Sequence, residues 1–291
     1  MRLIVIGASG FIGNAVYRAA RLKNIPVVGT SSSARKSFYR YDLASDEPEI
    51  LSKLLTSTRY DAVCAVIAAG KTNIDFCFEH RDLSARINVV GMKKLLGYLF
   101  ERDIKTLYLS SDAVFDGRSG NYNESSVANP LSVYGIQKLT IERFIQEQAP
   151  GNLILRLPKI IDSTVEGNHL FAELYRKYKN NEPLRCIKGL MFNPTYVGDI
   201  AECVIAGLMK NLSGLYHVAN PQVYSRFKLT KEFIGVRDSN YPIEEAEIDA
   251  WNFLEPKPLN TTLSTEKFRA AIGNMRFTTA GAVIKTFWDS T

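Results

Sequence analysis

Short runs of branched apolar residues alternate along the first half of the chain with longer segments whose apolar positions recur every three to four residues. A continuous apolar run predicts a strand buried on both faces, and the longer period predicts an amphipathic helix. Strands are thus expected over Leu3–Ile6, Val27–Thr30, Ala62–Ala68, Thr106–Ser110 and Asn152–Leu157, with helices over Ile12–Leu22, 47–55, Leu83–Glu101 and Val133–Gln148. Strand and helix taken in turn imply βαβ units, so the fold class is α/β, a doubly wound parallel sheet with helices on both faces. After Pro158 the pattern turns irregular, with helix-like stretches at His169–Tyr178 and Val197–Met209 among loops marked by Pro183, Pro194, Pro221, Pro256 and Pro258. The expected division is a sheet domain over 1–160 with a returning segment at about 194–222, and a smaller, interleaved C-terminal substrate-binding region from 161–193 and 223–291.

At 291 residues, 46% hydrophobic and 23% charged, the chain has the composition of an ordinary globular protein. Its longest apolar runs fall short of the roughly 18 residues that cross a bilayer. Met1 leads straight into a strand pattern with no signal-like apolar stretch. A cytoplasmic protein is expected. Cys64, Cys77, Cys186 and Cys203 show no paired spacing, and His80, His169 and His217 do not cluster with them, so neither a disulfide framework nor a metal is expected. The net charge of +6 comes from cations in twos and threes, such as Arg35-Lys36 and Arg176-Lys177, rather than in blocks. That pattern fits small anionic ligands better than nucleic acid.

The first predicted strand runs directly into Gly7-Ala-Ser-Gly10-Phe-Ile-Gly13, which opens the first predicted helix. Glycines there permit a tight turn and close approach of a pyrophosphate, whose charge meets the free N–H groups of the helix start. This is the dinucleotide-binding fingerprint of a Rossmann-type sheet. Gly7, Ser9, Gly10, Phe11, Ile12 and Gly13 are therefore cofactor candidates, with Ala68, Ala69 and Gly70 at the end of the third strand. An NAD-preferring fold of this kind ends its second strand in an acid. Here Ser31, Ser32 and Arg35 follow instead, a set suited to a 2′-phosphate. NADP(H) is preferred on that ground, with NAD(H) possible. Asp42 and Leu43 reach the adenine end, or Asp42 caps the next turn.

Tyr134 and Lys138 lie four apart on a predicted helix, so they share a face and the ammonium favours tyrosinate. Ser111, from Ser-Ser-Asp-Ala-Val-Phe-Asp-Gly, adds a hydroxyl upstream. A carbonyl reduction needs such a set, although a Tyr-x-x-x-Lys pair alone also arises on solvated helix faces. Arg156, Lys159 and Asn168 are candidates for substrate phosphates, with a local carboxylate as the other partner open to Arg156. Tyr216 and His217 are expected to close the sheet edge, and Trp251 and Phe253 to pack.

The glycine loop, Asp42-Leu43, Ala68-Ala69-Gly70-Lys-Thr72, Asn88-Val-Val-Gly91, Ser111 and Tyr134-x-x-x-Lys138 stand in an order that resembles the extended short-chain dehydrogenase/reductases. Ser110–Gly117, Asn193-Pro-Thr-Tyr-Val-Gly-Asp199, Gly214-Leu-Tyr-His217 and Pro256-Lys-Pro-Leu-Asn-Thr-Thr-Leu263 resemble the dTDP-4-dehydrorhamnose reductase branch, so the similarity covers nearly the whole chain. The resemblance implies that Ser111 orients a substrate carbonyl, Tyr134 is the general acid, and Lys138 holds the nicotinamide ribose and tunes Tyr134. Asn88 is read as a structural or relay amide, and Asp112 and Ala113 as substrate neighbours. Ala113 departs from the tyrosine usual in the branch and lacks the second carboxylate of a dehydratase. The activity implied is NADPH-dependent reduction of a nucleotide-linked 4-keto(-6-deoxy) sugar. A 4-epimerase and a non-catalytic NADP-binding regulatory subunit remain alternatives. The expected partner is a small nucleotide sugar, a homodimer is possible, and neither nucleic acid nor membrane is expected.

Overall fold

The strands form where the apolar runs place them, and their order in space explains why the chain has two layers of helices. The computed structural model describes residues 1–56, 62–273 and 275–291. Strands β1 (Arg2–Ile6), β2 (Val27–Ser31), β3 (Tyr39–Arg40), β4 (Val63–Ile67), β5 (Lys105–Ser111) and β6 (Leu153–Leu157) join the strand Gly214–His217 in one sheet. The order across it is 214–217, β6, β5, β4, β1, β2, β3, with every neighbouring pair parallel. The chain thus starts in the middle and winds outward both ways, leaving a crevice at the carboxyl ends of β1 and β4.

Successive strand residues face opposite ways, and the core divides accordingly. Leu3, Val5, Leu107 and Leu155 pack against Val16 of α1 (Phe11–Leu22) on one side. Ile4, Ile6, Tyr108 and Ile154 lie on the other side. The expected helix at 47–55 is a 3-10 turn, Pro48–Leu51, continued by α2 (Ser52–Leu55). Where one helix was expected over 83–101, the chain runs as α3 (Ile74–Glu79), α4 (Arg81–Ala85), a π-helical turn Arg86–Gly91 and α5 (Met92–Phe100). The wide turn marks a place where packing overrides the regular ladder. At Gly91 a Cβ would overlap the carbonyl of Leu43, so only glycine lets the turn approach this loop.

Helix α6 (Val133–Gln148) covers β5 and β6 through Ile141 and Ile145, and Ser132 caps it by accepting the Gly135 N–H at 3.1 Å. Beyond β6, α7 (Leu170–Lys179) leaves the sheet, α8 (Val197–Met209) returns to pack Ile200 and Val204 under it, and 214–217 adds the edge strand. The C-terminal region has its own core, in which Phe171 of α7 stacks on Phe233 of α9 (Arg226–Gly235) at 4.6 Å. One segment departs from the expected division. Helix α10 (Glu266–Ile272) falls within 223–291, yet its Phe268 is buried in the sheet core and meets Tyr216 edge-on at 6.0 Å. Helix α11 (Ala280–Asp289) then closes the C-terminal core, where the Trp288 indole donates to the Phe233 carbonyl at 2.7 Å.

Among the described residues no helix is long and apolar enough to cross a membrane, and no group of three or more His, Cys, Asp or Glu could hold a metal. All four cysteines are buried and free. Gly91→Ala should lower stability by about 1–3 kcal/mol through overpacking; a urea midpoint equal to the parent's would show that the close approach to Leu43 carries no constraint.

Candidate active site

A cleft follows the crevice, and its two arms meet at Gly10 and at Ala68–Gly70. Gly7 has φ +86°, and its N–H donates to Thr30 Oγ1 at 3.2 Å. Gly13 does not line the cleft; a Cβ there would strike the Gly7 carbonyl, so it sets how tightly α1 sits under the loop. Gly10 begins α1 without any side-chain cap, which leaves the N–H groups of the first turn free for an anion.

One arm is lined by Gly7, Ser9, Gly10, Ser32, Asp42 and Leu43, and Tyr41, Lys71 and Arg86 join them. Asp42 serves both readings, because it lines the arm while its carboxylate accepts the Ala44 N–H at 3.0 Å. Ser31 is buried behind the lining and receives the Ser9 hydroxyl at 2.9 Å. Arg35 does not line the arm: it is exposed in a loop bridged to Phe38. Tyr41, Lys71 and Arg86 were missed by sequence reading. Lys71 directly follows the Ala68–Gly70 signal, whereas Arg86 reaches the cleft from the π-helical turn, which no periodicity announces.

The other arm brings together Phe11, Ile12, Ser111, Asp112, Ala113, Tyr134, Lys138 and Asn168. Ser111 ends β5, and its hydroxyl donates to Asp112 Oδ1 at 3.0 Å while accepting the Ala113 N–H at 3.2 Å. Gly135 makes the meeting with α6 possible, since a Cβ there would overlap the Ala113 carbonyl. Burial raises the Tyr134 phenol above its ordinary pKa, against a hydrogen bond with Ser111 that lowers it, so the phenol keeps its proton at neutral pH. Burial pushes the Lys138 ammonium down to about 8, opposed by the Glu142 carboxylate. Its Nζ donates to the Leu109 carbonyl at 2.7 Å and lies 5.8 Å from the centre of the Tyr134 ring. Burial likewise raises the Asp112 carboxyl, opposed by the Thr261 hydroxyl, which donates to it at 2.7 Å.

Asn88 is buried in the π-helical turn and locked in place. Its Oδ1 accepts the Lys71 N–H at 2.7 Å, and its Nδ2 donates to the Lys71 carbonyl at 2.9 Å and to Gln137 Oε1 at 2.7 Å. It thereby ties the loop after β4 to α6. Arg156 is only 4% exposed and turned away from the cleft. Its guanidinium takes Glu142 as partner, with Nη2 to Oε2 at 2.7 Å and Nε to Oε1 at 3.0 Å, so substrate phosphates are out of its reach. Lys159 and His169 do line the cleft, and His169 stacks on Phe11 at 5.6 Å. Lys159 keeps much of its surface open, yet protein crowding and the nearby Arg226 and Lys257 charges lower its pKa. Trp251 and Phe253 stack on each other at 6.5 Å.

A parallel doubly wound sheet, a glycine loop beneath an uncapped helix, and a hydroxyl, phenol and ammonium at the crevice define an extended short-chain dehydrogenase/reductase fold. Within that superfamily the chain belongs to the family described as RmlD substrate binding domain, whose model matches residues 1–290. This bears out the resemblance drawn from the motifs. The chain is 26% identical over 288 residues to a dTDP-4-dehydrorhamnose reductase from Aggregatibacter actinomycetemcomitans, covering 94% of this chain and 93% of that one. It is 25% identical over 277 residues to the methionine adenosyltransferase 2 subunit beta of Xenopus tropicalis, covering 91% and 81%. Its fold matches a dTDP-4-dehydrorhamnose reductase from Bacillus anthracis, solved in complex with NADP, with a TM-score of 0.86 at 20% identity over 100% of this chain and 99% of that one.

Asn88→Ala should destabilise the fold, because Lys71 and Gln137 lose buried partners and each orphaned group costs about 1–3 kcal/mol. Chemical denaturation measures it, and a midpoint no lower than the parent's would refute the tie.

Proposed function

We propose that the protein is an NADPH-dependent reductase of a nucleotide-linked 4-keto sugar. The observation that carries this reading is the convergence of Ser111, Tyr134 and Lys138 on one end of a cleft whose other end is the glycine loop. Gly7, Gly10 and the free N–H groups of α1 would hold the pyrophosphate, and Ala68–Gly70 would flank the cofactor beneath. NADPH supplies the hydride when bound. Ser111 donates a hydrogen bond to the ketone oxygen, and Tyr134, which burial keeps protonated, gives its proton to that oxygen as negative charge develops. Lys138 stabilises the tyrosinate left behind.

Preference for NADPH rests on the serines that follow β2 in place of an acid and on the NADP bound by the Bacillus anthracis relative. Because Arg35 stands outside the cleft, Arg86 is the guanidinium available to that arm. The likeness to methionine adenosyltransferase 2 subunit beta supports a second reading, a non-catalytic regulatory subunit. The full set of Ser111, Tyr134 and Lys138 favours catalysis.

Oxidation of NADPH with a panel of nucleotide-linked 4-keto-6-deoxy sugars tests the reading. Turnover with at least one is expected, and tight NADP binding without turnover of any would favour the regulatory reading. Tyr134→Phe should lower turnover about a hundredfold or more while leaving the cofactor dissociation constant unchanged. NADPH should bind more tightly than NADH in a fluorescence titration, and the reverse order would sink the cofactor assignment.

A further inference from the structure

Beneath the cleft lies a second layer of charge that the reduction as written does not use. Glu142 stands two helical turns after Tyr134 and one after Lys138, so the three share a face of α6. Its side chain is completely buried. Two residues in register on neighbouring strands converge on it with a third behind them: Ser110 of β5 pairs with Arg156 of β6, and Arg156 pairs with His217 of the edge strand. Ser110 donates its hydroxyl to Glu142 Oε1, and Arg156 grips both carboxylate oxygens. Arg156 Nη1 lies 3.4 Å from His217 Nε2. His217 Nδ1 faces the Tyr122 carbonyl at 3.0 Å, which only accepts, so Nδ1 carries the proton and Nε2 receives Arg156. The row therefore has one fixed carboxylate, one guanidinium and a neutral imidazole, held near 3 by burial and by the Arg156 charge.

We propose that Glu142, clamped by Ser110 and Arg156, is a positioning residue that keeps Lys138 an ammonium within the buried site. Its consequence for turnover rests on the reductase reading, but the proposal itself concerns the charge of Lys138. The other groups that face that ammonium are two rings, a carbonyl and a thiol. Tyr108 of β5 presents its ring at 4.6 Å, the Leu109 carbonyl accepts from it, and Cys77 of α3 is a thiol that burial keeps protonated. Tyr134 lies on its own helix, Asp112 is held by the Ser111 and Thr261 hydroxyls, and Glu255 accepts the Val133 N–H at the start of that helix. Arg156 reaches the Glu142 carboxylate from β6 and fixes it through Nε and Nη2.

The direct test is NMR titration of the Lys138 ε-methylene in lysine-labelled full-length protein, parent against Glu142→Gln. A midpoint near 8 is expected in the parent. In the variant it should fall by about one pH unit, because the charge that favours the ammonium is gone. The alkaline limb of kcat/KM should fall with it while the NADPH dissociation constant at pH 6 stays the same. Should Arg156 without its partner prevent folding, Glu142→Gln with Arg156→Gln removes both charges and predicts a smaller movement in the same downward direction, because the carboxylate is the charge that acts on Lys138. A Lys138 midpoint that stays in place in whichever of the two folds overturns the proposal, since loss of packing alone would change stability and not this titration. If no keto sugar is turned over, the reductase reading fails by itself and the titration still decides the role of Glu142.

Discussion

The end of the cleft that holds Ser111, Tyr134 and Lys138 depends on how closely α6 lies against the turn that ends β5. Gly135 faces the Ala113 carbonyl with no room for a Cβ, and Ser132 closes the first turn of the helix at the same place. Tyr134 and Ser111 come from segments more than twenty residues apart, and this contact helps bring phenol and hydroxyl into one cavity. A wider spacing would leave each residue where it is in the chain and draw the phenol away from the hydroxyl. The helix is also held from below by Ile141 and Ile145 and from the side by Gln137, so its position is set on three sides.

Charge is the second constraint, because the site asks a buried helix to carry an ammonium. Desolvation works against Lys138, and the Glu142 carboxylate works the other way. Arg156 and Ser110 hold that carboxylate in place from β6 and β5, and the edge histidine lies against Arg156 in turn. A buried ion pair of this kind contributes little net stability, whereas losing one partner costs about 3–5 kcal/mol. Its presence under the site is better understood through the charge it fixes than through the stability it adds.

The C-terminal region is tied to the same turn. Thr261 donates to Asp112, Glu255 accepts the Val133 N–H at 2.8 Å at the start of α6, and the Tyr122 N–H reaches the Thr262 carbonyl at 2.8 Å. These contacts come from the stretch carrying Pro256–Leu263, whose spacing signalled the family before any contact was known. The C-terminal stretch is thus coupled to the turn after β5 and to the start of α6 through backbone and hydroxyl contacts. Asn88 does the same for the cofactor side by holding Lys71.

Much of the molecule was legible in the chain because its signals are local. Apolar period marked β1, β4, β5 and β6 to within two residues and α6 to its ends, and a glycine loop between strand and helix announced the crevice. Tyr134 and Lys138 share a face by spacing alone. What the chain left open was decided by contacts distant in sequence. Whether Arg156 meets a phosphate or a carboxylate depended on where Glu142 falls across the sheet. Arg35 was read from the chain as lying beside the glycine loop, whereas Arg86 lines that arm from the π-helical turn, which no period in the sequence describes. The return of Phe268 to the sheet core likewise follows from a space beside Tyr216 that no period in residues 223–291 describes. The sequence by itself determined the sheet, the glycine loop and the pairing of phenol with ammonium, since each follows from residues within one or two turns of each other. The tertiary structure alone decided which charges face the cleft and which are neutralised beneath it, because desolvation and ion pairing depend on neighbours the chain brings together only when folded.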